Sequence, residues 1–317
     1  MDMYQKRKIR AEKKNNNQEE KLTKVGINWY PGHMAKTKKQ IQEDLKLIDV
    51  VIEILDARIP LSSQNPDIAE WTKNKKKIII LNKSDLADEK QNERWVEYYK
   101  KQGIVAILTD SNSGKGIPET IRQIEKIMEE DKENFSKKGR TGKSIRVMIV
   151  GIPNVGKSSF INRITKKSST MVGNKPGVTR QKQWVRIKEN IELLDTPGIL
   201  WPKLEPEEVA LNLAYTGTIK DDIIDKIEVA YFLLKNLLEN RVDVISERYN
   251  ISKEYIKETL NNEERLEIEN IMEIMYQIGR KRGAIVSGGR IDEAKTANII
   301  LDDFRSGKLG KITIETI

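Results

Sequence analysis

The stretch IRVMIVGIPNVGKS, residues 145–158, joins an apolar run to a loop with two glycines and a Lys-Ser pair. The run predicts a buried strand, and the loop matches GxxxxGK[ST], a phosphate-binding pattern that requires a strand before it and a helix after it. We expect that helix from about Lys157 to Ile164. Amides at its N-terminus would surround phosphate oxygens, Lys157 would reach the β and γ phosphates, and Ser158 would offer its hydroxyl to Mg²⁺. The predicted nucleotide-binding residues here are Asn154, Val155, Gly156, Lys157, Ser158 and Ser159.

Helical and apolar segments alternate before and after this loop, and such alternation predicts a parallel sheet covered on both faces. The predicted helices cover Lys36–Leu47, Pro66–Thr72, Asp88–Lys101 and Ile117–Glu130. The further predicted strands are residues 49–57, Lys77–Leu81, Ile104–Leu108, Lys182–Lys188 and Ile191–Leu194. The sequence therefore predicts the α/β class with a nucleotide site at the strand ends.

A second motif, Asp195-Thr196-Pro197-Gly198, ends the apolar strand at Leu194. A carboxylate at a strand's C-terminal end can hold Mg²⁺ through water, so Asp195 is a predicted metal residue. Gly198 would give its amide to the γ-phosphate and sense its presence. A DxxG string alone is often only a turn, but its position downstream of a phosphate loop favours the nucleotide site.

The polar loop KPGVTR, residues 175–180, lies between these two motifs. We predict that Thr179 completes the Mg²⁺ coordination and acts in catalysis together with Lys157. Thr165 and Thr170 are alternatives, because loops of this kind often contain several hydroxyl groups.

The sequence Asn82-Lys83-Ser84-Asp85 follows the apolar run KKIIIL. The Asp85 carboxylate could accept both N1–H and N2–H of guanine, a donor arrangement that adenine lacks. Asn82 would brace neighbouring loops, the stem of Lys83 would cover the base, and Ser111 would lie in the loop that contacts guanine O6. The alternative is that NKSD is the N-terminal cap of a helix, since Asp is a favoured cap residue.

In GTPases of the usual order the NKxD motif follows the phosphate loop, whereas NKSD precedes Gly151–Ser158 here. Strand ends lie together at one edge of a sheet, so a circular permutation leaves the site intact in space. The fold class predicted is thus an α/β P-loop GTPase domain with circularly permuted motif order, followed by a smaller all-helical domain. Movement of the loop after Gly198 could be passed to the helices that follow it.

The expected domain bounds are a mobile basic arm over residues 1–25, a GTPase domain over 26–206 and a helical RNA-binding domain over 207–317. The arm is polar and lacks the apolar periodicity that a packed core needs. The helical assignment rests on apolar residues three and four apart in residues 222–240, 251–262 and 265–283.

The 57 Lys and Arg residues exceed the 48 Asp and Glu residues, a formal charge of +9 that favours a polyanionic partner. Cysteine is absent and histidine occurs once, which excludes disulfides and Cys/His zinc sites. No apolar run approaches the roughly 20 residues that span a bilayer, and the polar start lacks the apolar region of a secretory signal. We expect a soluble, cytoplasmic protein that is a monomer by default.

Six segments in this order carry a family resemblance: INWYPGHMAKTKKQI, DVVIEILDARIP, NKSD, GIPNVGKSSFIN, PGVT and LLDTPGIL. They resemble ribosome biogenesis GTPase A, a family of circularly permuted GTPases, over roughly Ile27 to Pro206. The resemblance implies GTP hydrolysis stimulated by the large (50S) ribosomal subunit, with that subunit and its rRNA as partners. It also implies a helical C-terminal region that faces rRNA.

The residue after the DTPG motif, where many GTPases place a water-orienting Gln, is Ile199, which cannot bond to water. The resemblance implies that His33 is the catalytic residue, and imidazole can orient or deprotonate water near neutral pH. Without the resemblance, a histidine after Pro-Gly is more often a turn or packing residue. Asn154 resembles an asparagine that holds K⁺ against the phosphates in some GTPases, and its alternative role is to brace the loop.

Basic residues cluster over Gly279–Arg290 and at Lys36, Lys38 and Lys39, close to Trp29 and Tyr30. They could meet rRNA phosphates and stack on bases, or they could be ordinary solvated surface. Two further functions stay open: an RNA-binding scaffold with a vestigial nucleotide site, and a P-loop GTPase that acts on a non-ribosomal partner. A P-loop enzyme that uses ATP is disfavoured by NKSD. Asp56 and Arg58, at a predicted strand end, have no role that the sequence assigns.

Overall fold

A computed structural model describes residues 33–130, 144–168, 184–201, 204–262 and 267–317 of the chain. Its six strands are β1 Val50–Asp56, β2 Lys76–Asn82, β3 Val105–Leu108, β4 Ile145–Val150, β5 Trp184–Lys188 and β6 Ile191–Asp195. They form one sheet in the order β3-β2-β1-β4-β6-β5. All neighbours are parallel except β5, which pairs antiparallel with β6 at one edge. The parallel order brings the C-terminal ends of the other five strands to one edge.

The helices that the structure describes in this part are α1 His33–Leu45, α2 Pro66–Trp71, α3 Glu89–Lys101, α4 Ile117–Glu130 and α5 Lys157–Ser168. They alternate with β1 to β5, whereas β6 follows β5 directly, as the sequence predicts. The first helix begins at His33 rather than Lys36, and α5 continues to Ser168 rather than ending at Ile164.

Both faces of the sheet are buried along β1 and along β2 from Ile78 onward, which explains why these strands are nearly continuous apolar runs. One cluster packs α1 against the sheet and consists of Ile41, Leu45, Ile48, Val51, Ile68, Met148, Val150, Leu194 and Ile199. The other packs α3 against it and consists of Leu55, Ala57, Ile79, Leu81, Ala87, Trp95 and Tyr99. These two layers fix the strand ends that carry the motifs.

A helical region follows, with α6 Glu207–Tyr215, α7 Lys226–Asn240, α8 Val242–Tyr249, α9 Lys253–Leu260, α10 Glu267–Lys281 and α11 Glu293–Arg305. The central helix α7 packs against α6, α8, α10 and α11. Arg248 of α8 forms a two-pronged ion pair with Asp303 of α11, with bonds of 2.9 and 2.8 Å. The periodic segments 222–240, 251–262 and 265–283 contain α7, α9 and α10, while α6, α8 and α11 were not delimited from sequence.

The chain divides into two compact units, with residues 204–309 in one and 33–201 together with Gly310–Ile317 in the other. The sequence predicts a helical domain that continues to Ile317, whereas the helical unit of the structure ends at Leu309. The last eight residues form no helix or strand, and they hydrogen-bond both to loops and to helix α3 of the α/β unit. Among the described helices, none has the length and apolar content needed to cross a membrane.

Candidate nucleotide-binding site

The phosphate loop lies between β4 and α5, where the sequence predicts it. Gly156 has φ +95°, and a Cβ on it would lie 2.3 Å from Nδ2 of Asn82. That position therefore needs glycine because the NKSD motif approaches the loop backbone there. Ser158 and Ser159 are exposed at the start of α5, whereas Val155 is buried.

Asn82 connects the motifs of three strand ends. Its Nδ2 donates to the carbonyl of Val155 at 2.7 Å, and its Oδ1 accepts from the hydroxyls of Thr109 and Ser111 at 3.0 and 2.7 Å. Asn82 is only 2 % exposed, so these bonds form away from solvent. These bonds connect the end of β2 to the phosphate loop and to the loop after β3.

Lys83 has φ +59° and reaches in two directions. Its Nζ donates to Oδ2 of Asp56 at 2.9 Å and to the carbonyl of Asn154 at 2.8 Å. The Lys83 side chain thus connects the end of β1 to the phosphate loop.

Asp85 is exposed, beyond the end of β2. It does not cap the following helix, because α3 is capped by Asp88, whose side chain accepts from the amide of Gln91 at 3.1 Å. The capping alternative for NKSD is therefore wrong. Partial desolvation, together with the negative charge of Asp110, raises the pKa of Asp85 above its usual value. The exposed Asp85 carboxylate can accept hydrogen bonds from two donors of a ligand.

Lys157 is 8 % exposed and its Nζ donates to the carbonyl of Ile152 at 2.7 Å. Burial lowers the pKa of its ammonium group to about 8, against the opposing attraction of Asp195. A buried cation whose pKa is depressed gains strongly from an anionic ligand. This environment suits a phosphate.

The DTPG motif packs directly on the phosphate loop. Thr196 donates its hydroxyl to the carbonyl of Ile149 at 2.7 Å, which fixes the end of β6 against β4. A Cβ on Gly198 would lie 2.7 Å from Nζ of Lys157 and 2.8 Å from the backbone nitrogen of Pro153. Only glycine therefore fits at this position between Lys157 and the phosphate-loop backbone.

Ile199 is 3 % exposed and belongs to the apolar cluster under α1. Its carbonyl accepts from Nδ2 of Asn65 at 3.0 Å, which fixes the backbone after the DTPG motif. The side chain after that motif is therefore turned into the core. Its position agrees with the inference that Ile199 does not orient water.

Two predicted residues cannot be placed fully. Thr179, like its alternative Thr170, lies outside the described residues, and His33 is described only as the first residue of α1. Thr165, the other alternative, lies on α5 and donates its hydroxyl to the carbonyl of Ile161 at 2.8 Å. Such a bond is an ordinary helix contact.

The sequence assigns no role to Asp56 and Arg58, and the structure shows them as a buried ion pair next to Lys83, each residue 1 % exposed. Two opposite charges two residues apart at the end of an apolar strand are the signal that marks them, since unpaired buried charges are costly. In the described part of the chain, no group of three or more acidic or histidine side chains could by itself hold a metal ion.

Comparison with known proteins agrees with this arrangement. A family model described as "50S ribosome-binding GTPase" matches residues 146–272. Ribosome biogenesis GTPase A of Bacillus cereus is 44 % identical over 92 % of this chain and 94 % of its own length. The same-named protein of Priestia megaterium is 43 % identical over 91 % of this chain and 96 % of its own.

A solved structure extends the likeness to the fold. The crystal structure of GNP-bound YlqF from T. maritima superposes with a TM-score of 0.60 at 26 % identity, over 89 % of this chain and 98 % of that one. Three observations support the same family: the permuted motif order, the contacts among the strand ends that carry the motifs, and the similarity to these relatives. The chain belongs to the ribosome biogenesis GTPase A family, the circularly permuted GTPases of ribosome assembly.

Proposed function

We propose that this GTPase is an assembly factor of the large (50S) ribosomal subunit that binds its rRNA and hydrolyses GTP faster on the subunit. The observation that carries the nucleotide part is the Asn82 bridge, which joins the guanine motif to the phosphate loop at 2.7 Å. The ribosomal part is supported by the description of the matching family model and by the names of the relatives.

Guanine would bind at the ends of β2 and β3. Asp85 would accept N1–H and N2–H of the base, and the stem of Lys83 would cover its face. Ser111 is held by Asn82 and would border O6. Together these residues would discriminate guanine from adenine, because an adenine would leave the carboxylate without its two donors.

The phosphates would lie over the start of α5, in contact with the amides of residues 154–159 and with Lys157. Ser158 and, through water, Asp195 fit Mg²⁺, which prefers oxygen ligands and retains several waters and phosphate oxygens. Thr179 is the further ligand we propose. Bound Mg²⁺ supplies charge neutralisation at the β and γ phosphates.

His33 would orient the attacking water, since Ile199 is buried and has no group for that purpose. Lys157 would stabilise the charge that develops on the transferred phosphoryl group. Asn154, with φ +61° and an exposed side chain, is positioned at the loop surface where K⁺ could be held, so GTP turnover that is faster in K⁺ than in Na⁺ is part of the proposal.

The rRNA surface would include residues 279–290. Lys281 and Arg290 are exposed there, as are the apolar Ile285 and Val286. Arg282 is held within the helical unit, since it bonds to the carbonyl of Arg248 at 2.6 Å. Exposed cations next to apolar groups suit phosphates and unstacked bases.

In the other basic cluster, Lys38 forms an ion pair with Asp67 at 2.9 Å and lies over the ring of Trp71, so it is partly committed to the fold. Lys36 and Lys39 are exposed. Trp29 and Tyr30 lie outside the described residues. A ribosomal role implies the cytoplasm as the site of action.

The test is GTP turnover by the purified protein with and without large subunits at matched salt, with small subunits as the control polyanion. We expect acceleration by large subunits only, because the proposal requires a specific surface and not bulk phosphate. An unchanged rate with large subunits, or equal stimulation by small subunits, would contradict the ribosomal part of the proposal. Undetectable hydrolysis in every condition would favour an RNA-binding scaffold instead.

A further inference from the structure

The C-terminal segment, Gly310–Ile317, belongs to the α/β unit although it follows the last helix of the other unit. Its Ile312 amide donates to the carbonyl of Leu86 at 2.9 Å, and its Thr313 hydroxyl accepts from the amide of Asp88 at 3.0 Å. Ile312 and Thr313 are 2 % and 7 % exposed. The segment is therefore built into the loop that follows the NKSD motif.

The same segment also fixes the loop that follows β1. The Ile314 amide donates to the carbonyl of Arg58 at 2.9 Å. The Glu315 carboxylate accepts from the amides of Leu61 and Ser62 at 2.6 and 2.9 Å, and from the Ser62 hydroxyl. Trp95 of α3 donates its indole N–H to the Glu315 carbonyl at 2.9 Å. A carboxylate that bonds two successive amides fixes a turn in the way that a helix cap does.

That loop carries Arg58, which forms two buried bonds to Asp56, 2.9 Å from Nε to Oδ1 and 2.8 Å from Nη2 to Oδ2. The Oδ2 atom also accepts from Lys83 at 2.9 Å. Burial alone would raise the pKa of Asp56, but Arg58 and Lys83 hold it well below its usual range. Asp56 is thus a fixed anion whose charge must be matched by these two cations.

We propose that the C-terminal segment is a positioning element of the guanine site, with Glu315 as its main contact. Glu315 fixes the loop of Arg58, Arg58 orients Asp56, and Asp56 places Lys83 between the base and the Asn154 carbonyl. The proposal rests on the guanine site described above. Its consequence is that the segment slows nucleotide release without touching the nucleotide.

The experiment measures release of a fluorescent GDP analogue and steady-state GTP hydrolysis in Glu315→Gln. Neutralising the carboxylate weakens charge-assisted bonds, so we expect release about tenfold faster and a higher KM with kcat unchanged. The matched control is Thr316→Ala on the same segment, since Thr316 is exposed. This control should release GDP at the wild-type rate. A wild-type release rate in Glu315→Gln would overturn the proposal.

Two further variants separate positioning from general destabilisation. Ser62→Ala removes only one donor to Glu315, and it should speed release about two- to threefold with the melting temperature of the protein nearly unchanged. In a Lys83→Met background, Glu315→Gln should add little, because the segment acts through Lys83. Full additivity of the two changes would overturn the route through Lys83. If the wild-type protein itself failed to bind GDP, the guanine site would fail, which is a distinct result.

Discussion

At the scale of single residues, the sequence predicts which side chains gather but not how they contact one another. In the sequence, NKSD indicates guanine recognition and GIPNVGKS indicates phosphate binding. The Asn82 bond to the Val155 carbonyl shows how the two motifs are joined in the fold. Gly156 is explained by this contact, because any side chain there would meet Asn82. The sequence does not predict that Lys83 pairs with Asp56. This ion pair depends on the register between β1 and β2, in which Asp56 lies beside Asn82.

The buried Lys157 predicts that the affinity for GDP depends on pH. Because burial lowers the pKa of the free ammonium to about 8, and bound phosphates would raise it, GDP binding should take up a proton above that pH. Below it the amine is charged with or without ligand, so affinity should not vary through this group. Above it affinity should fall by up to about tenfold per pH unit.

Calorimetry at about pH 8.5, in two buffers of different ionisation enthalpy, measures that proton uptake. In Lys157→Arg the guanidinium stays charged, so uptake from this position should disappear. Equal uptake in the Arg variant would contradict the assignment to Lys157.

At the scale of elements, periodicity and turn residues predict each strand and helix that the structure describes in the α/β unit, because its central strands are buried on both faces and its helices on one. The ends are less well predicted, as at His33 and Ser168, since a helix end depends on caps and tertiary contacts. The short α6 and α8 were not delimited, because eight or nine residues give few turns of periodicity. Packing of α1 on the DTPG loop was likewise invisible in the sequence.

That packing predicts the result of restoring the usual glutamine after the DTPG motif. Ile199→Gln should not speed GTP hydrolysis, because the side chain points into the cluster with Ile41 and Leu45. The buried amide would lose its hydrogen bonds to water and lower the free energy of unfolding by about 2–4 kcal/mol. Ile199→Val, the control, should cost only about 1 kcal/mol.

Chemical denaturation and single-turnover hydrolysis measure the two effects of Ile199→Gln. Faster hydrolysis with unchanged stability would show that the side chain at this position reaches the reacting phosphate, contrary to the structure.

At the scale of the whole molecule, the permuted motif order places the helical unit directly after the DTPG loop. The chain leaves the α/β unit near residue 201 and returns to it at Gly310. One connection follows the DTPG motif, and the other enters the segment that hydrogen-bonds to the loops after β1 and β2. The motif order predicts the connection after the DTPG motif. The sequence does not predict the return of the chain at Gly310, because residues 310–317 have no periodicity that indicates where they pack.

The central claim is that NKSD and the displaced phosphate loop form a single guanine-nucleotide site. The most direct test is hydrolysis of GTP and of xanthosine triphosphate by the wild-type protein and by Asp85→Asn. Asparagine can donate to the C2 carbonyl of xanthine and cannot accept both guanine donors. We expect Asp85→Asn to lose about 10- to 100-fold in kcat/KM for GTP and to gain activity with the xanthine nucleotide. Asp88→Asn, which keeps a good cap on α3, should retain the preference for GTP. Undiminished GTP hydrolysis by Asp85→Asn, with no gain on xanthosine triphosphate, would show that NKSD does not recognise the base.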